Sequence, residues 1–500
     1  MRTLLSAVFL IASGLSGPAA SPDELPISAT KQLRVDVAAP KEKPPLVLGV
    51  NNGPEIGSGT HLVNDLASVG LTNQFHRSLD RLAPNISRAL ADVGISEIRT
   101  HDFMGPCDWY TIFPDWSADP ELEASYHFQS SDEKISRIVQ GGFAPYFRLG
   151  VSWNTFPANT DAWRVPPGFP HFDPAKWASI CKHMVMHYNA GWANGFHYSI
   201  RYWEIWNEPD YSRFWKGTAE QYWTLYEQTA RALKAYDPSL KVGGCGLANL
   251  ANKPYYTKFI KFCSCRNVPL DFYSWHIYNQ SRREYLVWAS RTRETLDQNG
   301  FKATESHCTE WNVLCGKPED PKHVNLIGVT HVAGTLIAMR DNGVSRAYFY
   351  PLTSTWGLFD PDGKWRKRSY AFQAFHWLQR DTPFPLVVEG REDTNYAVAA
   401  ARSANADLVQ VLVSDMDSHF NGFSLALDNL VPVTAYKVEY FLLDESHNLE
   451  KVAMQDVTSS SHGRIVLQRK MSPPSVILMR IEQATKERKI SSSDVTSIKL

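Results

Sequence analysis

Residues 202–210 read Tyr-Trp-Glu-Ile-Trp-Asn-Glu-Pro-Asp. The stretch opens as an apolar run of the kind found in buried parallel strands. It turns polar at Asn207 and Glu208, where a loop to the next helix should start. In a barrel of parallel strands, polar groups at the carboxyl ends of the strands face the functional site. The stretch therefore predicts a barrel strand that delivers Glu208 to such a site.

The pattern around this strand repeats along the chain. From Leu46 to about Gln379, apolar runs alternate with amphipathic helical segments, several of which open with a Ser, Thr or Asp that suits a helix N-cap. Eight such units predict an α/β fold, a (β/α)8 TIM barrel over residues 46–380. The predicted strands are 46–51, 96–102, 145–152, 202–208, 241–247, 271–278, 306–311 and 346–351, and the predicted helices include 80–93, 131–141, 173–192, 218–236, 282–298 and 327–342.

The pattern changes after Asp381-Thr382-Pro383. Short alternating strands without long helices follow, which predicts a β-sandwich accessory domain over residues 381–483 that packs on the barrel. Residues 21–45 read as a linker in which 34–37 alternate like a strand that could join this accessory sheet. Residues 484–500 are rich in Ser and Lys, and we expect a mobile tail. The clearest accessory strands are 396–401, 407–413, 435–443 and 475–481.

The start of the chain is typical of a signal peptide. Met1-Arg2 precedes an apolar run over residues 3–16, and small residues occupy 17–20. We expect residues 1–20 to be removed and the protein to be secreted or periplasmic. No later stretch reaches the roughly 20 apolar residues that span a bilayer, so no membrane span is expected.

Charge and cysteine usage exclude several classes of partner. The 51 basic and 52 acidic residues nearly cancel, which argues against nucleic acid and favours a neutral partner. Seven Cys leave at least one thiol unpaired, and Cys263-Ser-Cys265 lacks zinc-site spacing, so we expect no metal. The glycines near Gly244 miss the dinucleotide-binding fingerprint, and no phosphate loop appears, so no cofactor is expected.

A second carboxylate string is Cys308-Thr309-Glu310-Trp311-Asn312, which places Glu310 at the end of the predicted seventh strand. Glu310 follows Glu208 by 102 residues. That separation is three units of about 34, close to the roughly 31 residues per unit of a typical barrel. The spacing therefore assigns the two glutamates to strands four and seven.

With these two strings in order, the chain resembles glycoside hydrolase family 39, in the large clan of retaining TIM-barrel glycosidases. The resemblance covers about residues 46–480. Within that range, three further stretches match, each at a predicted strand end: 99–103, 147–153 and 275–278. It implies that Glu208 is the acid/base, that Glu310 is the nucleophile, and that the partner is a carbohydrate substrate. It further implies that Asn207 binds the sugar 2-hydroxyl.

The same resemblance suggests further contacts with a sugar. His276 on strand six and His101 on strand two would bind sugar hydroxyls, and Tyr278 would orient the nucleophile. Trp356, after strand eight, could stack on the sugar ring. For each of these side chains, ordinary packing with a satisfied polar atom is an open alternative. Other charged residues near strand ends are explained equally well by salt bridges, and we assign no catalytic role to Arg99, Asp102, Arg148 and Glu305.

The chemistry sets a distance and an orientation that a structure must meet. Retaining enzymes hold the two carboxyl groups about 5–5.5 Å apart, and inverting enzymes hold them at about 6.5–9.5 Å with room for water. Simple alternation places Glu208 with Glu204 and Trp206 on one side of the strand and Asn207 on the other. Both Asn207 and Glu208 reach a substrate only if the strand end twists or bulges.

The sequence thus predicts a secreted retaining β-xylosidase that acts by double displacement, with xylose chosen by analogy with the family. A uronic-acid glycoside is an open alternative and would need a cation such as Arg148 opposite the substrate carboxylate. Other β-glycosides and microbial exopolysaccharides are also open. A non-catalytic carbohydrate-binding protein is the alternative from another class, and the presence of both glutamates counts against it.

Overall fold

A closed barrel of eight parallel strands forms the larger part of the protein in the computed structural model. The model describes residues 30–51, 87–101, 105–152, 173–212, 214–313, 325–353, 356–360, 363–391 and 395–484. The predicted signal peptide, residues 485–500 of the predicted tail, and Asp102 lie outside these ranges. The first strand, β1 (Lys31–Pro40), belongs to a second sheet, and the barrel follows as β2 (Val47–Asn51), β3 (Ile95–Arg99), β4 (Ala144–Leu149), β5 (Tyr202–Ile205), β6 (Lys241–Leu247), β7 (Phe272–Tyr278), β8 (Glu305–Asn312) and β9 (Val344–Phe349).

The predicted TIM barrel is confirmed, with one systematic difference. β3, β4 and β5 each end three residues before the predicted boundary, at Arg99, Leu149 and Ile205. The described residues just beyond these points are mostly polar or glycine, with Val151 and Trp206 as exceptions, and they leave the hydrogen-bonded ladder to form the loops above the barrel. The strand ends were therefore predicted too long where the functional residues begin.

Helices surround the barrel. Three helices were not predicted: α1 (Trp109–Ile112), α5 (Lys253–Arg266) and α8 (Lys367–Asp381). α5 follows Asn252 and has a Pro in its first turn, which are start signals that the prediction overlooked. α8 follows Arg366 and has no side-chain N-cap hydrogen bond, so the sequence carries no start signal for it. By contrast, Thr218 and Gln221 form a capping box at the start of α4. The α-helices that lie wholly within the described residues are α1 (Trp109–Ile112), α2 (Gln129–Gln140), α3 (Pro174–Ala190), α4 (Ala219–Tyr236), α5 (Lys253–Arg266), α6 (Arg282–Gln298), α7 (Leu326–Asp341) and α8 (Lys367–Asp381). Residues 87–92 of the predicted helix 80–93 are also helical, and the start of that predicted helix lies outside the described residues.

Aromatic side chains fill the lower half of the barrel. Tyr146, Tyr202, Phe272 and Tyr348 form one buried cluster inside the strands. Gly49 makes room for it, because a Cβ at that position would lie 2.3 Å from the Tyr348 ring. The barrel is thus closed from below, and any ligand must enter at the carboxyl ends of the strands.

The C-terminal strands form one nine-stranded, mostly antiparallel sheet that β1 joins between β10 and β13. Inward-facing residues of all its strands share one hydrophobic core. Alanine and leucine side chains on the other face, such as Ala399, Leu412 and Leu478, pack into the barrel core instead. The remaining strands are β10 (Phe384–Glu389), β11 (Tyr396–Arg402), β12 (Leu408–Asp415), β13 (Gly422–Asp428), β14 (Ala435–Leu443), β15 (Asn448–Thr458), β16 (Ile465–Lys470) and β17 (Ser475–Gln483).

Helices α7 and α8 connect the barrel to this sheet. α7 is buried on almost every side, because the barrel covers one face and the sheet the other. Ser414 of β12 donates to the carbonyl of Thr330 at 2.8 Å, and Arg480 of β17 pairs with Asp381 at 2.7 Å. None of the described helices is both long enough and apolar enough to cross a membrane.

Candidate active site

Asn207 and Glu208 both face the barrel mouth because the backbone turns sharply after β5. Trp206 has φ 72° and Glu208 has φ 47°, left-handed values that L residues rarely adopt outside special sites. The distorted backbone is held by two hydrogen bonds, from the Trp206 amide to the Leu149 carbonyl at 2.6 Å and from the Glu208 amide to the Gly246 carbonyl at 2.9 Å. This is the departure from simple alternation that both side chains require.

Glu310 approaches the same mouth from β8, whose pairing with β9 is irregular between Cys308 and Trp311. Its Oε1 accepts a hydrogen bond from Arg99 at 2.8 Å and its Oε2 accepts one from the Tyr278 hydroxyl at 2.7 Å. One carboxylate oxygen of Glu208, one ring nitrogen of His276 and one carboxylate oxygen of Glu310 lie within 4.8 Å of one another. The two predicted carboxylates therefore meet across the barrel mouth.

The two carboxyl groups have different electrostatic surroundings. Burial raises the pKa of Glu208 well above its usual value, and repulsion from Glu310 and then from Asp210 adds to the shift. Burial also raises the pKa of Glu310, but the Arg99 guanidinium and the Tyr278 hydroxyl stabilise its charged form and oppose the shift. Glu208 is thus the member of the pair that holds a proton to higher pH.

The two predicted histidines lie beside these carboxylates. His276 Nδ1 is 2.7 Å from Glu208 Oε1, and its Nε2 is 3.7 Å from Glu310 Oε1. His101 Nε2 is 3.5 Å from Glu310 Oε1. Burial, followed by the charge of Arg99, holds the pKa of both rings well below the usual range, so both are neutral.

Several buried polar atoms around the carboxylates have no partner among the residues that the structure describes. Within those residues, both ring nitrogens of His101, Nε2 of His276 and Nδ2 of Asn207 make no hydrogen bond. The Asn207 amide oxygen accepts from Arg99 at 2.7 Å, which leaves its NH2 group to donate elsewhere. Because buried polar groups are normally paired, these atoms indicate a site built for a polar ligand.

Arg99 is central to the site, although the sequence analysis assigned it no role beyond an ordinary salt bridge. It is fully buried and donates to Glu204 at 2.6 Å, to Asn51 at 2.9 Å, to Glu310 and to Asn207. A usable signal was its parity with His101 in the predicted strand 96–102; in the structure β3 ends at Arg99 and His101 follows in the loop. Arg99 thereby fixes the positions of two predicted site residues at once.

Tyr278, Tyr350 and Trp356 form an aromatic wall beside Glu310. The Trp356 ring centroid lies 6.3 Å from that of Tyr278 and 5.8 Å from that of Tyr350. Trp356 is buried, with 8 % of its surface exposed. The tryptophan predicted as a stacking platform is therefore at the site, packed against the tyrosine that contacts Glu310.

Two charged residues that were noted in the sequence do not reach the carboxylate pair. Glu305 begins β8 at the end of the barrel opposite to Glu310, where it pairs with Arg346 and His307. Arg148 is buried and paired with Asp108 at 2.5 Å. Neither residue contacts Glu208 or Glu310 in the described structure.

Among the described residues, one group of side chains is spaced closely enough to share a metal ion. It consists of Glu208, His276 and Glu310. The Arg99 guanidinium already holds Glu310 at 2.8 Å, and its positive charge opposes a cation at this position. We assign no metal to the group.

The chain is similar in sequence to known glycosyl hydrolases. The family model described as glycosyl hydrolases family 39 matches residues 66–355. A beta-xylosidase of Geobacillus stearothermophilus is 27% identical over 271 residues, which is 49% of this chain and 52% of that protein. A beta-xylosidase of Caldicellulosiruptor saccharolyticus is 28% identical over 234 residues, which is 43% of this chain and 46% of that protein. The chain spans about half the length of these curated relatives.

Solved structures share the fold over most of the chain. A glucosidase from Croceicoccus marinus has a TM-score of 0.69 at 24% identity, covering 91% of this chain and 100% of that chain. A monomeric beta-xylosidase from Caulobacter crescentus has a TM-score of 0.66 at 17% identity, covering 91% of this chain and 99% of that chain. Both support a barrel followed by a β domain.

Proposed function

The chain belongs to glycosyl hydrolases family 39, and we propose that it is a retaining glycoside hydrolase that removes terminal β-linked xylose by double displacement. The observation that carries the proposal is the meeting of Glu208 and Glu310 across the barrel mouth, where one carboxylate oxygen of each lies within 4.8 Å of the other. This separation suits direct attack on a sugar carbon, and it is shorter than the about 6.5–9.5 Å that an inverting pair needs for an intervening water.

In the first step, ionised Glu310 attacks the anomeric carbon while protonated Glu208 donates its proton to the leaving oxygen. The glycosidic bond breaks, and a glycosyl ester forms on Glu310. Burial and the nearby charge of Glu310 raise the pKa of Glu208, which keeps this acid protonated for the step. Arg99 and Tyr278 favour the ionised form of Glu310. The two roles follow from these opposite environments.

In the second step, the ester has removed the charge of Glu310, so Glu208 loses a source of repulsion and its pKa falls. Glu208 then accepts a proton from water, the water oxygen attacks the anomeric carbon, and the bond to Glu310 breaks. Two displacements at one carbon restore its original configuration.

The unpartnered polar atoms supply contacts for the sugar. We assign the free NH2 group of Asn207 and the open nitrogens of His101 and His276 to sugar hydroxyls. Trp356 supplies an apolar face for the ring. Tyr278 acts on the nucleophile through its hydrogen bond to Glu310.

Xylose is supported by the two beta-xylosidases among the curated relatives and by the near-zero net charge of the chain. The uronic-acid alternative has less support, since Arg148 is buried and its charge is neutralised by Asp108. A panel of 4-nitrophenyl glycosides, with proton NMR of the first-formed anomer, tests the proposal. Xyloside turnover with retention is expected. Inversion would contradict the double-displacement mechanism. Turnover of another glycoside but not of the xyloside would contradict only the choice of xylose.

We also propose that the protein is exported, on the basis of the signal-peptide pattern of residues 1–20. Cell fractionation and N-terminal sequencing of the mature protein test this. A chain that stays in the cytoplasm with Arg2 intact would contradict it.

A further inference from the structure

Three consecutive residues at the start of α8 contact two different parts of the molecule, the second sheet and the segment that carries Trp356. Lys367 donates to the turn between β14 and β15 in the second sheet, to the Asp444 carbonyl at 2.7 Å, to the His447 carbonyl at 3.2 Å, and to Asn448 Oδ1 at 2.9 Å. The turn is itself braced, because Asp444 Oδ1 accepts from the His447 amide at 2.9 Å. The amine therefore holds a preformed set of acceptors.

The next residue, Arg368, points the other way, toward the aromatic wall. Its side chain is fully buried, and its Nη1 donates to the Trp356 carbonyl at 2.9 Å and lies 3.4 Å from Asn312 Oδ1. Asn312 in turn donates to the Tyr350 carbonyl at 2.6 Å and to the Trp356 carbonyl at 3.1 Å. Arg368 of α8 thus holds the Trp356 backbone directly, and it also contacts Asn312, which holds the backbone of both aromatic residues.

Ser369 completes the arrangement by donating to the Leu358 carbonyl at 2.7 Å. The amide of Leu358 donates in turn to the carbonyl of Pro351, the residue after Tyr350, at 3.1 Å. Trp356 and Leu358 are therefore both held through their backbone carbonyls by the first turn of one helix.

We propose that Lys367 and Arg368 are positioning residues that couple the second sheet to the aromatic wall, so that docking of the sheet sets the place of the Trp356 ring. The proposal rests on the proposed function, because Trp356 is taken to face the sugar. It gives the second sheet a part in substrate binding without any sugar contact of its own. Neither residue touches the two carboxylates in the described structure, so the chemical step itself is not expected to depend on them.

The coupling predicts a change in substrate binding when the sheet contact is removed. In Lys367→Met the first turn of α8 loses its anchor, and we expect KM for the best glycoside of the panel to rise roughly threefold or more, as loss of part of an aromatic contact implies. We expect kcat to stay within about twofold and the pH profile to be unchanged. Arg368→Lys, which keeps the charge but loses the planar fork, should shift KM in the same direction.

The chain offers a matched control at the other end of the same helix. Arg480 of β17 pairs with Asp381, the last residue of α8, at 2.7 Å. Arg480→Met therefore also breaks a contact between sheet and helix, but far from Trp356, and KM should be unchanged. A double-mutant cycle adds the decisive readout: the KM effect of Lys367→Met should disappear in a Trp356→Ala background.

Wild-type turnover, measured first in the same assay series, keeps the test of this coupling separate from the test of the function. With an active wild type, an unchanged KM in Lys367→Met would overturn the coupling. So would an equal rise in Arg480→Met, or a rise that persists without the Trp356 ring. Each of these results would leave the proposed function intact.

Discussion

His276 Nδ1 lies 2.7 Å from Oε1 of Glu208, and both side chains are buried. Burial holds the pKa of His276 well below its usual value and raises the pKa of Glu208, so the two groups meet as a neutral ring and a protonated acid. A neutral imidazole accepts at one nitrogen and donates at the other. The ring is thus suited to hold the acid proton of Glu208 in place.

Replacing this ring should therefore impair protonation of the leaving group. We expect His276→Ala to lower kcat/KM by about tenfold or more for an alkyl glycoside, which needs the acid, and by less for a 4-nitrophenyl glycoside, whose aglycone leaves readily. Comparison of kcat/KM across aglycones of graded pKa checks this. An equal loss for all aglycones would mean that His276 only binds the sugar.

Tyr278 is expected to set the acidic side of the pH profile. Its hydrogen bond stabilises ionised Glu310 and opposes the rise in the pKa of that carboxyl group. In Tyr278→Phe the pKa of Glu310 should rise, so that a larger fraction of the nucleophile is protonated at low pH. The acidic limb of kcat/KM should then move to higher pH. Tyr146→Phe, in the lower layer of the barrel, is the control and should leave the limb in place.

Asp210 is expected to set the basic side of the pH profile of kcat/KM. Its carboxylate is held by the backbone amides of Ala248 and Asn249 at 2.9 and 3.0 Å, and its charge helps to raise the pKa of Glu208. In Asp210→Asn this repulsion is lost, the pKa of Glu208 falls, and the basic limb of kcat/KM should move to lower pH. A basic limb that stays in place or moves to higher pH would contradict this account. Asp237→Asn, outside the site, provides the control.

Arg99 is expected to contribute to stability as well as to the site. It pairs with the buried Glu204 at 2.6 Å and with Glu310 at 2.8 Å. Arg99→Met leaves both carboxylates without their cation, and removal of one partner from a buried pair costs about 3–5 kcal/mol. Urea unfolding measures the loss. In the Arg99→Met background, Glu204→Gln should restore part of the lost stability. If it restores none, the unpaired charge of Glu204 is not the main cause of the loss.

The parts of the fold that were predictable are those encoded by local pattern. The barrel strands follow from their apolar runs, and the positions of Glu208 and Glu310 at strand ends follow from motif and spacing. Helix α8 was missed because it has no capping side chain at its start. Tertiary contacts of its first residues, such as that of Lys367 with the second sheet, cannot be read from spacing.

The site was predictable in its members but not in its geometry. The backbone at Trp206 is left-handed and turns Asn207 inward. It could not be predicted, because the sequence has no glycine at this position to indicate it. Arg99 was set aside because an arginine near a strand end is usually an ordinary ion pair, and only the fold shows that it joins Asn207 to Glu310. Pairings between distant strands decide such roles.

Azide rescue of two alanine variants tests the central claim most directly. With an activated glycoside, azide should restore turnover of Glu208→Ala and give the glycosyl azide of retained configuration, because Glu310 still forms the ester. Azide should restore Glu310→Ala with the opposite anomer, because it then attacks in place of the nucleophile. The same anomer from both variants, or full activity of both without azide, would contradict the assignment of Glu208 as acid/base and Glu310 as nucleophile.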